Sequence, residues 1–150
     1  MLEGFKIYLE TEEKENVKTM ISKLPKGHQK LLRGYKFTFT PGNTLKGDKE
    51  NIGYIHKDKI VVAAPWNYGR EFVTLHEIAH LVYEYKMTPK LKKEWSAVLK
   101  ATKKEMPKHS ALNQNDEEIF CMTYATFYAK HKPETYSNET RFAFIKKIPE

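Results

Sequence analysis

The stretch EFVTLHEIAHLVYEY, Glu71 to Tyr85, decides how the rest of the chain is read. Apolar Phe72, Leu75, Ile78, Ala79, Leu81 and Val82 are so densely set that a helix over these residues is buried nearly all round. Yet His76, Glu77 and His80 stand among them. Three ionisable groups in a buried helix need partners or a metal to offset their desolvation.

His76-Glu77-Ile78-Ala79-His80 matches the pattern H-E-x-x-H. Residues four apart lie one turn above each other on the same helix face, so both imidazoles can reach one Zn²⁺. Glu77 is offset by one residue from the first histidine, beside the ion but outside its coordination sphere, where it can take a proton from water. The plainer alternative is a pair of histidines hydrogen-bonded in a core, with the glutamate reaching water. A catalytic zinc takes three protein ligands and leaves one position for water, so a third ligand is expected downstream. Tyr83 and Lys86 exclude the extended pattern that would put glycine and histidine at those positions. Glu84 continues the ladder, but three ligands along one straight helix cannot converge on one ion, so Glu84 is expected to face solvent or to support a ligand from behind. His109 and His131 read as loop or helix-end residues. In NDEEIFCMTYATFY an acidic cluster opens a strongly apolar helix that can carry a carboxylate to the metal. Acids at Asp116, Glu117 and Glu118 also suit any helix N-terminus through the macrodipole. Apolar periodicity does not separate Glu117 from Glu118, because the following apolar residues nearly encircle the helix.

The 150 residues suit one domain over 1–150, with 40% hydrophobic and 13% aromatic residues arguing for a folded core. Charged residues make up 30% and sum to +7, with a pI near 9.3. Such an excess attracts acidic partners, nucleic acid among them, although dispersed lysines ordinarily form a solvated face. The single cysteine, Cys121, forms no internal disulfide and fits a reducing compartment. No apolar run is long enough for a signal peptide or a membrane span, so a cytoplasmic location is the default and no membrane partner is expected. Oligomeric state leaves no mark on the sequence.

Along the chain, TEEKENVKTMISKLP places Val17, Met20, Ile21 and Leu24 at helical spacing from an N-cap at Thr11, and Pro25 ends that helix. A turn-rich piece follows, with a helical turn around Lys30 to Leu32. YKFTFT alternates as a strand closed by Pro41-Gly42, and IGYIHKDKIVVAAP reads as a hairpin turning near Lys57-Asp58. An exposed edge of that hairpin suits an extended peptide added as a strand, and His56 within it reads as a surface residue. Helices then run from Arg70 to Tyr85, from Thr88-Pro89 to about Lys104, and from Asp116 towards Pro133, with a short last helix capped at Ser137 or Asn138. Strands first and helices after make the expected class α+β.

HEIAH, NDEEIFCMTYATFYAKH and ETRFAFIKKI together resemble the catalytic domain of anthrax lethal factor and its shorter relatives, the Pro-Pro endopeptidases. The resemblance covers about residues 50–148. It implies a gluzincin-type zinc peptidase with a zincin-like fold: a small mixed β-sheet, an active-site helix and a C-terminal helical part. In that family the third ligand directly precedes the apolar pair, here Ile119-Phe120, so the resemblance selects Glu118 and makes His76, His80 and Glu118 the metal ligands, with Glu77 catalytic. The family's tyrosine, seven residues before that glutamate and thought to stabilise the oxyanion, is replaced by Ala111. His109 from the same loop is the expected oxyanion donor, with Tyr68 as a substitute. The expected activity is hydrolysis of peptide bonds in a peptide or protein. The competing expectation is a zinc-binding regulatory or interaction module with little turnover, or one associated with nucleic acid.

Overall fold

The computed structural model describes residues 6–8, 11–39, 53–56, 59–62, 70–102, 104, 115–129 and 137–150. In chain order these form β1 (Lys6–Tyr8), α1 (Thr11–Ser22), α2 (Lys26–Lys30), β2 (Lys36–Phe39), β3 (Gly53–His56), β4 (Lys59–Val62), α3 (Arg70–Lys86), α4 (Pro89–Thr102), α5 (Asp116–Tyr128) and α6 (Glu139–Lys146).

The expected α+β class, organised on a small mixed sheet in a zincin-like domain, is corrected: the described residues are mostly helical. The reason lies in who supplies the core. Of the strand residues whose side chains are described, Phe37 and Ile60 lie in the core and Ile55 packs against it, while the long helices carry most of the described core. The strands are three or four residues long and pair in the order β1-β2-β4-β3. β1 and β2 run parallel, as do β2 and β4, while β3 lies antiparallel to β4 with His56 opposite Lys59. The expected turn at Lys57-Asp58 lies outside the described residues. β1 lies where the residue pattern gives no strand signal.

α1 buries Val17, Met20 and Ile21 on one side, with Leu24 just beyond its end. The next helical turn starts earlier than the pattern implies: Pro25 precedes Lys26–Lys30, where its fixed φ and missing N–H do no harm. Gly34 takes φ 83°, a left-handed value that glycine adopts without strain, and lets the chain turn into β2.

α3 is the central helix. Val73, Leu75, Ile78, Ala79, Leu81 and Val82 are buried, and its most extensive partner is α5, with β3 and β4 on another side. α5 is apolar nearly all round, as its burial of Ile119, Phe120, Cys121, Tyr124 and Ala125 requires. Thr123 and Thr126 of α5 avoid a desolvation penalty by bonding back along their own helix. Thr123 Oγ1 donates to Ile119 O and Thr126 Oγ1 to Met122 O, each at 2.8 Å. α4 is amphipathic: Trp95, Leu99 and Thr102 point inward, and Lys90, Lys93 and Lys100 point to solvent.

Trp95 joins three helices. Its ring meets Phe120 of α5 edge-on at 5.7 Å and Phe144 of α6 at 5.1 Å, and its indole N–H donates to Asp116 O at 2.9 Å. A second tie between α4 and α6 is polar. Buried Arg141 donates from Nε to Thr102 Oγ1 at 3.0 Å and from Nη2 to Thr102 O at 3.4 Å, setting a cation at the carbonyl end of α4.

Candidate metal centre

The fold brings four of the expected residues to one place. α3 presents His76 and His80 one turn apart, with ring centroids 5.1 Å apart and nearly perpendicular planes. From α5 Glu118 faces both: its Oε2 lies 3.1 Å from His76 Nε2 and its Oε1 3.2 Å from His80 Nε2. Glu77, 6% exposed, sits with Oε2 at 3.9 Å from His76 Nε2.

Local chemistry holds Glu118 there. Asn115 is the N-cap of α5, and its side-chain oxygen accepts the Glu118 N–H at 2.8 Å. The cap therefore fixes the backbone of the residue whose carboxylate spans the two imidazoles. Glu117, one residue earlier, points elsewhere. Its Oε2 lies 2.6 Å from His80 Nδ1, on the side of the ring away from Glu118. The two neighbouring acids, which periodicity leaves unresolved, thus face different nitrogens.

The electrostatics follow from these contacts. Hydrogen bonds from His76 and His80 hold the Glu118 carboxyl well below the usual carboxylate range. Burial alone pulls His80 down, but hydrogen bonds to Glu118 and Glu117 outweigh it and lift its pKa to about 9. Glu77 is raised, chiefly by desolvation, against the lowering pull of the two histidines. A buried carboxylate with a raised pKa is a better proton acceptor than one in water.

The donor set fits zinc. Ligand bonds of 2.0–2.1 Å at tetrahedral angles put neighbouring donors about 3.3–3.4 Å apart. The separations of 3.1 and 3.2 Å between Glu118 and the two Nε2 atoms are close to that edge. Cys121 offers a further donor: it forms with His76 and His80 a group whose ligand atoms all lie within 4.8 Å of one another. It follows Glu118 by three residues on α5, the same face one turn on. Glu118 and Cys121 are thus two candidate third donors on one face of α5. The Cys121 thiol is also fully buried, and that burial, reinforced by nearby Glu118, Glu117 and Glu77, pushes its pKa far above the usual thiol range.

Glu84 is exposed on α3 and takes no part in the site. His109, Ala111, Tyr68 and His131 lie outside the described residues, as does the side chain of His56. Two participants escape a reading of sequence. Glu117 as a partner of His80 leaves no signal beyond its place in an acidic cluster, and Cys121 is marked only by its i+3 offset from Glu118.

No family model, curated protein or solved structure matches the chain.

Proposed function

We propose that the chain is a zinc-dependent metalloendopeptidase. His76, His80 and Glu118 would hold the ion, and zinc, when bound there, supplies Lewis acidity towards water and the peptide carbonyl. Glu77 accepts the proton of the attacking water and returns it to the departing amine. The observation that carries this reading is the carboxylate of Glu118 spanning the Nε2 atoms of both histidines beside a buried Glu77. The resemblance to the lethal factor domain and the Pro-Pro endopeptidases supports the same assignment through HEIAH and NDEEIF.

Metal analysis of protein purified without chelator is the first test. About one equivalent of zinc is expected, and less than about half would count against the scheme. A peptide-library screen with zinc present then tests turnover, with Glu77→Gln as the control that keeps the metal and loses cleavage.

A second reading has one observation in its favour. Cys121 lies beside the two histidines, and a fourth protein donor closes a zinc site in the manner of structural zinc. The chain would then be a zinc-binding regulatory or interaction module. Cobalt substitution separates the readings, since a sulfur-to-metal charge-transfer band that disappears in Cys121→Ser marks the closed site.

A further inference from the structure

Resting on the zinc reading above, the geometry points to Glu117 as a positioning residue that fixes His80 for metal binding and makes the two histidine ligands unequal. A carboxylate only accepts, so the 2.6 Å contact is His80 Nδ1–H donating to Glu117 Oε2. A ring nitrogen that binds an ion must offer its lone pair, which leaves the hydrogen of a neutral imidazole on the other nitrogen. For His80 the nitrogen facing Glu118 is Nε2, so the hydrogen belongs on Nδ1, where Glu117 already accepts it. With an ion on Nε2, Glu117 would hold the ring in the one tautomer and orientation that a metal requires.

His76 is placed differently. Its Nε2 faces Glu118 at 3.1 Å, but its Nδ1 is buried and has no hydrogen-bond partner among the described residues. Putting the hydrogen on that atom leaves a buried donor unmet. His80 is therefore the anchoring ligand and His76 the weaker one, although the sequence pattern treats them alike. Partners of this kind orient metal-ligating histidines and raise their basicity.

The test is competition of the full chain with a chromophoric chelator for Zn²⁺. Glu117 is 41% exposed, so its replacement leaves the core intact. Glu117→Ala should weaken zinc binding about 10- to 100-fold at unchanged stoichiometry. Glu117→Gln, whose amide oxygen still accepts from Nδ1–H, should recover part of that loss. Asp116→Asn removes a charge from the same helical turn and should stay within about twofold of the parent, because its side chain is exposed and the macrodipole effect is small. Nitrogen NMR of the zinc form should show the His80 Nδ1–H protected from exchange in the parent and unprotected in Glu117→Ala. Equal affinity of Glu117→Ala and the parent would overturn the proposal, as would an equal loss in Asp116→Asn. So would a Glu117→Ala protein that binds no zinc beside a Glu118→Ala protein that binds one equivalent, since the roles would then be reversed. A parent chain that binds no zinc at all would remove the zinc reading itself, an outcome distinct from the others.

Discussion

Glu77 and Glu118 are both glutamates within reach of the same histidine, yet their surroundings drive them apart. Desolvation raises the pKa of Glu77, whereas hydrogen bonds from His76 and His80 lower that of Glu118. One carboxylate is thereby suited to carry a proton and the other to stay charged as a donor to a cation. Glu77→Gln is accordingly expected to retain about one zinc while cleavage falls by roughly 10²–10⁴-fold, measured by metal analysis and peptide hydrolysis on the same preparation. Glu118→Ala should lose the metal instead, so its loss of activity should follow zinc occupancy. Of these residues the histidines and Glu77 are legible from the H-E-x-x-H spacing, because one turn of helix is a local geometric fact. The choice of Glu118 over Glu117 is not legible from periodicity, since both begin a helix whose apolar surface nearly encircles it.

At the scale of elements, each half of the site depends on a helix start or a helix contact. Asn115 caps α5 and holds the Glu118 N–H, so Asn115→Ala should cost about 0.5–2 kcal/mol of stability, read as a shift in the urea midpoint. Because the same cap orients the ligand-bearing residue, zinc affinity should fall with it. Thr88 plays the same part for α4, where its Oγ1 accepts the Leu91 N–H at 3.1 Å, and Asn138 for α6, accepting the Arg141 N–H at 3.0 Å. These starts were visible in Thr88-Pro89 and in the Ser137-Asn138 pair because capping is a property of adjacent residues. The helical turn at Lys26–Lys30 lies ahead of the expected Lys30 to Leu32 because GHQK carries no periodic apolar face; its position follows from Pro25 and from tertiary burial of His28.

At the scale of the molecule, distant segments are tied by a few buried groups. Trp95 lies between Phe120 and Phe144 with no exposed surface, and Trp95→Ala should destabilise the fold by about 3–5 kcal/mol in denaturant melts. His28 ties the early helices to α5 and to the end of the chain. Its Nε2–H donates to Pro149 O at 3.1 Å, and its Nδ1 accepts from the Tyr124 hydroxyl at 2.9 Å, a neutral tautomer. Gly27 allows this approach, since a side chain there would run into the Glu150 backbone, whose oxygen also accepts from Lys86 Nζ at 3.2 Å.

Burial lowers the His28 pKa from its ordinary 6.5, with nearby Lys86 adding to the effect while the Pro149 bond and Glu150 oppose it. The unfolded chain therefore takes up a proton below about pH 6.5 that the folded chain resists. The contribution is fully present above that pH and is lost as the pH falls towards the lowered folded value. Urea midpoints should drop between pH 7.5 and 5.5 by more in the parent than in His28→Gln. No helix among the described residues is long and apolar enough to cross a membrane.

The sequence by itself determined the long helices, the caps at Thr88 and Asn138 and the pairing of His76 with His80 on one helix face, because helical spacing, capping and the H-E-x-x-H offset all act within a few residues. The fold class differs from the expected one, since YKFTFT and IGYIHKDKIVVAAP mark strands but not that these are only four residues long beside much longer helices. Only the tertiary structure set α5 against α3, so that Glu118 meets both Nε2 atoms, Glu117 meets His80 Nδ1 and Cys121 lies beside them. Such contacts join residues about forty positions apart, and they are decided by which apolar faces pack together, a property no local pattern encodes.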